Sequence, residues 1–131
     1  MTEDDASPPR GRITIQHHDA VRIVSFRGEH DLATTDLASD LLNEARPHTG
    51  IIVVDLTAVT FMDSSIVRVL YTAYQADTPP KIRFVVARHT QPRDILTTTA
   101  LDNVLPIYDC LEDALEEPPR TSGPGSTGVG D

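Results

Sequence analysis

The chain has 131 residues, which is enough for one domain with a hydrophobic core but short for two. Its formal net charge is −9, from 20 acidic and 11 basic residues without a Lys/Arg cluster, so nucleic acid and anionic membranes are poor partners. Because the N-terminus is polar and acidic and no apolar run approaches the roughly 18 residues of a membrane span, we predict a cytoplasmic protein.

The first elements are predicted from changes in hydrophobic period. Residues Met1–Arg12 lack apolar periodicity and are predicted to be disordered. Ile13–Ile15 and Val21–Phe26 alternate as strands on either side of a turn, which predicts an antiparallel hairpin. From Gly28 the period lengthens, and Asp31 is predicted to cap a helix whose apolar stripe contains Leu32, Leu37, Leu41, Leu42 and Ala45.

The stretch from Ile51 to Gln75 is predicted to be the centre of the fold. Ile51–Val54 is a continuous β-branched run, typical of a strand that is buried on both faces. The segment Leu56–Met62 is predicted to be a loop. The triplet Asp63-Ser64-Ser65 then precedes an apolar run of helical period, and this pattern predicts a helix N-terminus.

The helix after this triplet has a wider apolar arc than a surface helix needs. Its main apolar face contains Val67, Leu70, Tyr71 and Tyr74, with Arg68 on the opposite side. Ile66, Val69 and Ala73 widen the arc to about 200°, roughly twice the usual width. This surplus indicates either deeper burial or a partner surface, and the pattern leaves both open.

The rest of the chain continues an alternation of strands and helices. The predicted elements are a strand at Ile82–Ala87, a helix from Thr90 and Pro92 to about Thr98, a short strand at Leu105–Tyr108 and a helix at Cys110–Glu116 with Asp109 and Glu112 spaced as a capping box. Pro118–Asp131 is a Pro/Gly/Ser/Thr tail that is predicted to be disordered. We therefore predict one α/β domain at residues 13–117.

No catalytic or cofactor motif accompanies the triplet. The chain has no G-x-S-x-G elbow, and Arg68 stands where an S-x-x-K pair would place lysine after Ser65. Both phosphate-binding glycine motifs are missing, which argues against an ATPase. Adjacent His17 and His18 would point apart, and the single cysteine, Cys110, is expected to be a buried, inert thiol. We predict no metal, no cofactor and no enzymatic activity.

A hydroxyl at a helix N-terminus is, however, well placed to carry a phosphate. The free N–H groups and the helix dipole stabilise the added negative charge, and Arg68 lies one turn on. Asp63 opposes the phosphate by repulsion. The alternative is that Ser64 and Ser65 merely cap the helix.

These residues resemble the STAS domains, and among them the bacterial anti-sigma factor antagonists. The resemblance covers about Ile13–Glu117. It is carried by Gly28-Glu29-His30-Asp31 with Ala33-Thr34, by Ile52–Leu56 and Val59-x-Phe61-Met62-Asp63-Ser64-Ser65, and by Ala114-Leu115. The family fold that it implies is a mixed sheet of four or five strands, an N-terminal hairpin followed by βα repeats, with about four helices.

The resemblance also implies a function. In such antagonists the second serine of the triplet, Ser65 here, is phosphorylated by the anti-sigma factor, a kinase with a histidine-kinase-like ATPase domain. The unphosphorylated antagonist binds that factor and frees the sigma factor, and a serine phosphatase restores it. Asp31 and Asp63 match acidic positions beside the acceptor. The predicted partner-binding residues are Asp31, Asp63, Ser64, Ile66, Arg68 and Val69.

The chain departs from the family pattern at two places. Ile66-Val67 stands where Gly-Leu is usual, so that Ile66 either adds bulk beside the Ser65 hydroxyl and slows phosphorylation or anchors a partner. His30 replaces a commonly apolar residue and is expected to alter the partner surface. The alternative function is a non-phosphorylated STAS scaffold in a stress-signalling or lipid-transport complex, and an enzyme or small-ligand binder is the third reading.

Overall fold

The structure is a computed structural model that describes residues 11–45, 50–76 and 81–116. Its strands and α-helices are β1 (Arg12–His18), β2 (Val21–His30), α1 (Thr35–Ala45), β3 (Ile51–Met62), α2 (Ser64–Ala76), β4 (Ile82–Val85), α3 (Gln91–Thr98), β5 (Ile107–Tyr108) and α4 (Leu111–Glu116). Five strands and four helices in this order confirm the predicted α/β class.

The strands form one mixed sheet in the order β1-β2-β3-β4-β5. β1 and β2 are antiparallel, which confirms the predicted hairpin, and the other neighbouring pairs are parallel. Parallel neighbours require crossover connections, and α1, α2 and α3 provide them. The carboxyl ends of β2 and β3 therefore lie side by side at one edge of the sheet.

Helices cover both faces of the sheet. The larger core lies between one face and α1, α2 and α3, and it includes Val54, Phe84, Leu42 and Leu70. The smaller core lies on the other face, where Val53 and Val85 pack with Ala114 of α4. Alternate residues of β3 and β4 thus enter opposite cores, which is why Ile51–Val54 is apolar without interruption and why Arg83 of β4 is buried.

The segment Leu56–Met62 is strand, and the prediction of a loop there is wrong. β3 pairs with β2 as far as the last residue of both strands, His30 opposite Met62. The register shifts twice, because the interval from Ser25 to Arg27 opposes the longer interval from Asp55 to Ala58, and a second extra residue follows before Phe61. Two bulges therefore lie in β3, and they carry the strand beyond the end of β4.

The predicted apolar stripe of the first helix is partly wrong. A 3-10 helix at Leu32–Thr34 precedes α1, and Asp31 caps that short helix by accepting a hydrogen bond from the backbone N–H of Ala33 at 2.9 Å. The residues of α1 that enter the core are Ala38, Leu42 and Ala45. Leu32 and Leu37 are exposed, by 74% and 44%, because Leu32 belongs to the 3-10 helix and Leu37 lies off the buried face of α1.

The C-terminal elements follow the prediction except at Cys110. The last strand and the closing helix are present, at Ile107–Tyr108 and Leu111–Glu116. Cys110 is exposed, so the expected burial of its thiol is wrong. The carboxylate of Asp109 pairs with the guanidinium groups of Arg93 and Arg88, and the Arg93 hydrogen bond is the main reason that the pKa of Asp109 is lowered.

The predicted tails fall almost entirely outside the described residues. Residues 1–10 and 117–131 are not described, whereas Arg12, predicted to belong to the N-terminal segment, is the first residue of β1. Within the described ranges, none of the helices has the length and hydropathy that crossing a membrane requires.

Candidate functional site

The corner between β3 and α2 is organised by the carboxylate of Asp63. Its Oδ1 atom accepts hydrogen bonds from the backbone N–H groups of Ser65 at 3.0 Å and Ile66 at 3.4 Å, so Asp63 caps α2. The same Oδ1 atom accepts a hydrogen bond from the Ser65 hydroxyl, with 2.5 Å between the two oxygens. The predicted acceptor therefore lies at a helix N-terminus with its proton directed at a carboxylate.

The neighbouring strand fixes this corner from one side. The backbone N–H of Asp63 donates to the carbonyl oxygen of His30 at 3.2 Å, which continues the β2–β3 pairing by one residue. Asp31, the next residue, is exposed and starts the 3-10 helix. The β2–β3 pairing thus brings the backbone at Asp31 next to the start of α2.

Gln91 fixes the corner from the other side. Its side-chain amide donates to the Met62 carbonyl oxygen and accepts from the Met62 N–H, both at 2.9 Å. β4 pairs with β3 only as far as Asp55, so no β4 residue reaches Met62, and the Gln91 amide occupies the place of a strand backbone. Our sequence reasoning missed Gln91, because nothing in the sequence around it indicates a partner 29 residues away.

The triplet serines differ in accessibility. Ser64 is exposed, whereas Ser65 and Asp63 are half-buried. Ser65 is the serine whose hydroxyl contacts Asp63. The two serines are therefore not equivalent, and the second is the one held in a defined position.

Ile66 lies in the core. Its side chain is 0% exposed and belongs to the larger core, so the expectation that Ile66 offers its side chain to a partner is wrong for this conformation. The physical reason is the helix phase, since Ile66 shares the buried face with Val67 and Leu70. Because the side chain enters the core, it also adds no exposed bulk beside the Ser65 hydroxyl.

The other predicted contact residues of α2 lie at its surface. Arg68 is exposed and Val69 is half-buried. Both line a groove of about 170 Å³ between α1 and α2, together with residues such as Leu42 and Thr72. The surplus apolar arc of α2 is thus divided, with Ile66 in the core and Val69 at the groove.

Two exposed apolar side chains flank the corner. Leu32 is 74% exposed in the 3-10 helix, and Phe61 is 43% exposed near the end of β3. Each lies within two residues of the paired strand ends His30 and Met62. These two exposed apolar side chains near the strand ends were not among the predicted site residues.

His30 supports the corner from below the surface. Its side chain is 0% exposed, so the expectation that it alters the partner surface directly is wrong. One ring nitrogen, Nε2, donates to the Arg27 carbonyl oxygen at 3.0 Å, and Nδ1 lies 3.1 Å from the Thr34 hydroxyl. Burial disfavours the charged ring and lowers the pKa of His30 below 6.5.

The chemistry available at this corner is limited to a positioned hydroxyl and its carboxylate. Among the described residues, no three His, Cys, Asp or Glu side chains cluster closely enough to hold a metal ion. The Ser65 hydroxyl donates to Asp63 at the N-terminus of α2, where the backbone N–H groups of Ser65 and Ile66 also donate to Asp63. The corner therefore presents a hydroxyl that a carboxylate holds in one position.

Comparisons with known proteins identify relatives over nearly the whole described chain. The STAS domain family matches residues 12–114. The chain is 32% identical over 111 residues to the anti-sigma-F factor antagonist RsfA of Mycobacterium tuberculosis, covering 79% of this chain and 84% of RsfA. It is 29% identical over 112 residues to RsfB, also an anti-sigma-F factor antagonist of M. tuberculosis, covering 84% of this chain and 91% of RsfB.

A solved structure is similar in fold as well as in sequence. The crystal structure of an anti-sigma factor antagonist from Mycobacterium paratuberculosis superposes with a TM-score of 0.75 and 27% identity. The similarity covers 81% of this chain and 92% of that protein. The family match, the relatives and the solved structure therefore indicate the same protein family.

The first prediction concerns Gln91. Replacing Gln91 with alanine leaves a buried strand end without its hydrogen bonds, so we expect the free energy of unfolding to fall by about 1–3 kcal/mol. Gln91→Glu retains the acceptor but turns the donor into a carboxylate facing the Met62 carbonyl, and should be destabilising as well. Urea denaturation measures both, with Gln75→Ala on the exposed face of α2 as the control, expected within about 0.5 kcal/mol of the parent.

The second prediction concerns His30 and pH. The folded state lowers the pKa of His30, so the unfolded chain binds the proton more readily and stability falls as the pH drops below 6.5. For one proton the slope cannot exceed about 1.4 kcal/mol per pH unit. Denaturation at pH 5–8 should show this loss in the parent and in the exposed-site control His17→Gln, but not in His30→Gln. An equal pH dependence in all three would contradict it.

Proposed function

The chain belongs to the STAS domain family, and on that basis we propose that it is an anti-sigma factor antagonist whose binding is switched at Ser65. In its unphosphorylated form it binds an anti-sigma factor with a histidine-kinase-like ATPase domain and so frees a sigma factor. Phosphorylation of Ser65 by that kinase releases the antagonist, and a serine phosphatase restores it. The observation that carries the proposal is the Ser65 hydroxyl, positioned by Asp63 at the start of α2.

The charge of the surface supports a switch by phosphate. Asp31 and Asp63 already place negative charge beside Ser65, and a phosphate adds about two more. Leu32 and Phe61 are exposed near the strand ends, and a partner that packs against them as well as against Ser65 would have to desolvate the phosphate. Repulsion and desolvation both weaken the phosphorylated complex.

The burial of Ile66 supports access of a kinase to Ser65. A glycine after the acceptor would leave room for another backbone, and an exposed isoleucine would fill that room. The Ile66 side chain instead enters the core, so the hydroxyl is not covered by it. The departure from the usual Gly therefore costs less access than the sequence pattern alone predicts.

Arg68 and Val69 extend the proposed contact along α2. They lie one turn beyond the triplet, at the groove between α1 and α2. Ser64, exposed at the first position of α2, completes the surface. We propose that a partner contacts this face of α2 together with the Asp31 loop.

The partner is tested by purifying the chain with its native binding proteins and identifying them by mass spectrometry. Recovery of a kinase-like anti-sigma factor, and its retention by the purified chain in a direct titration, supports the proposal. Recovery of transporter or multi-STAS subunits favours a scaffold instead. A metabolite without any protein partner would contradict both.

The third prediction concerns charge at the acceptor. Ser65→Asp places a fixed negative charge beside Asp63, so it should bind the anti-sigma factor at least about tenfold more weakly than the parent, or ~1.4 kcal/mol. Ser65→Ala should bind like the parent and accept no phosphate. Calorimetric titration measures both.

A control variant separates the site from the net charge. Thr14→Asp adds the same charge at an exposed position of β1, and we expect its affinity to match the parent. If Ser65→Asp, Thr14→Asp and the parent bind equally well, the proposed switch is wrong.

A further inference from the structure

We infer that Asp63 is the internal proton acceptor for phosphoryl transfer to Ser65, so that the antagonist itself supplies the carboxylate that the reaction needs. This inference rests on the proposed phosphorylation of Ser65. It concerns a role that capping a helix does not require, because a cap needs only an acceptor for backbone N–H groups. The role follows from where the Ser65 proton points.

The Ser65 hydroxyl and the Asp63 carboxylate are already hydrogen-bonded in the chain alone, without a partner. Ser65 Oγ lies 2.5 Å from Asp63 Oδ1 and donates its proton to it. A general base must lie within hydrogen-bond reach of the atom whose proton it takes, and in many free enzymes this contact is long or poorly aligned. Here the contact exists inside one chain, two residues apart.

The carboxylate is also held in place. Its Oδ1 atom accepts from the backbone N–H of Ser65, which prevents rotation away from the hydroxyl. The backbone N–H of Asp63 in turn donates a hydrogen bond to the His30 carbonyl oxygen. The backbone of the preceding residue, Met62, is hydrogen-bonded to the Gln91 side chain. A positioned carboxylate loses little entropy when the transition state forms.

Asp31 does not occupy the same place. One of its carboxylate oxygens accepts from the Ala33 N–H at 2.9 Å in the cap of the 3-10 helix, and its side chain is exposed. Asp31 adds negative charge to the surface, whereas Asp63 contacts the reacting hydroxyl. The two acidic residues therefore have different roles.

The reaction balances with one nucleoside triphosphate as co-reactant, bound with Mg²⁺ by the partner kinase. A bond forms between Ser65 Oγ and the terminal phosphorus, and the bond from that phosphorus to the bridging oxygen breaks. The nucleoside diphosphate leaves with the electron pair, and the Ser65 proton moves to Asp63 Oδ1 and then to water. The transition state of such transfers is loose, so the carboxylate mainly orients the nucleophile and takes its proton late.

The alternative role of Asp63, repulsion of the incoming phosphate, predicts the opposite sign. Removing the charge would then reduce repulsion of the polyphosphate and speed the transfer. Removing a proton acceptor slows it, typically by about 10²–10⁴-fold. One substitution therefore distinguishes the two roles.

The fourth prediction is for Asp63→Asn. Asparagine caps helices about as well as aspartate, so its side-chain oxygen can still accept from the Ser65 and Ile66 N–H groups and the fold should be retained. We expect the single-turnover rate of Ser65 phosphorylation, measured at saturating antagonist so that a change in affinity does not enter it, to fall at least about 10²-fold. The assay uses the purified anti-sigma factor with Mg-ATP at saturating antagonist, and calorimetry gives the affinity.

Two further variants keep the test decisive. Asp113→Asn removes a carboxylate from the first turn of α4 on the other face of the sheet and should phosphorylate like the parent. Asp63→Ser, whose hydroxyl also caps, should be as slow as Asp63→Asn and replaces it if the asparagine variant does not fold.

The outcomes separate this inference from the proposed function. If the parent is phosphorylated at Ser65 and Asp63→Asn reacts as fast or faster, the kinase supplies its own base; the inference is then wrong and the antagonist function stands. If Ser65 of the parent accepts no phosphate from the anti-sigma factor, the switch and the inference both fail. If the parent is phosphorylated at Ser65 and Asp63→Asn is slow at saturating antagonist, both are supported.

Discussion

The site depends on the two-sided hydrogen bonding of the last residues of β3. The His30 carbonyl binds Asp63 from the β2 side, and the Gln91 amide binds Met62 from the side where β4 has already ended. A strand end with one free edge would move, and the carboxylate attached to it would move as well. Because both edges are bonded, Asp63 caps α2 and contacts Ser65 in one fixed geometry.

Two bulges in β3 determine where the end of this strand lies relative to the rest of the sheet. Two bulges lengthen β3 relative to β2 and still let the strands end together, with His30 opposite Met62. Ligand and partner sites of α/β sheets usually lie at the carboxyl ends of parallel strands, where loops and helix N-termini converge. The bulges place this end beyond the body of the sheet, so the triplet reaches the surface while Ile66 remains in the core.

The element order, the mixed sheet and the strand-to-helix corner at Asp63-Ser64-Ser65 could be predicted from the sequence, because β-branched runs and helix caps are local signals. The end of β3 could not, because each bulge inserts a residue and the buried residues Leu56, Val59 and Met62 recur every third position instead of every second. β2 was predicted too short for a related reason. Gly28 and His30 continue its buried alternation, but neither is an apolar residue that a hydrophobic pattern would count.

Side-chain partners between distant segments were also beyond the sequence. Gln91 falls within the predicted helix start at Thr90 and Pro92, and its hydrogen bonds to Met62 require the α3–β3 packing to be known. Ile66 was ambiguous for a different reason, since an apolar arc of about 200° does not say which part faces the core. The position of α1 against α2 decides it, by covering one end of the arc and leaving Val69 at the groove.

The contact between Ser65 and Asp63 has a further consequence for a switch at this position. In the unphosphorylated chain the hydroxyl donates to the carboxylate, so the two side chains stabilise the first turn of α2 together. A phosphate on the same oxygen removes that donor and sets a dianion beside a carboxylate that two backbone N–H groups hold in place. One stabilising contact then becomes a repulsive one, and the helix N-terminus has to be shared between two anions. Phosphorylation would therefore affect the hydrogen-bonded ends of β2 and β3 as well as the proposed partner surface, because Asp63 contributes to both.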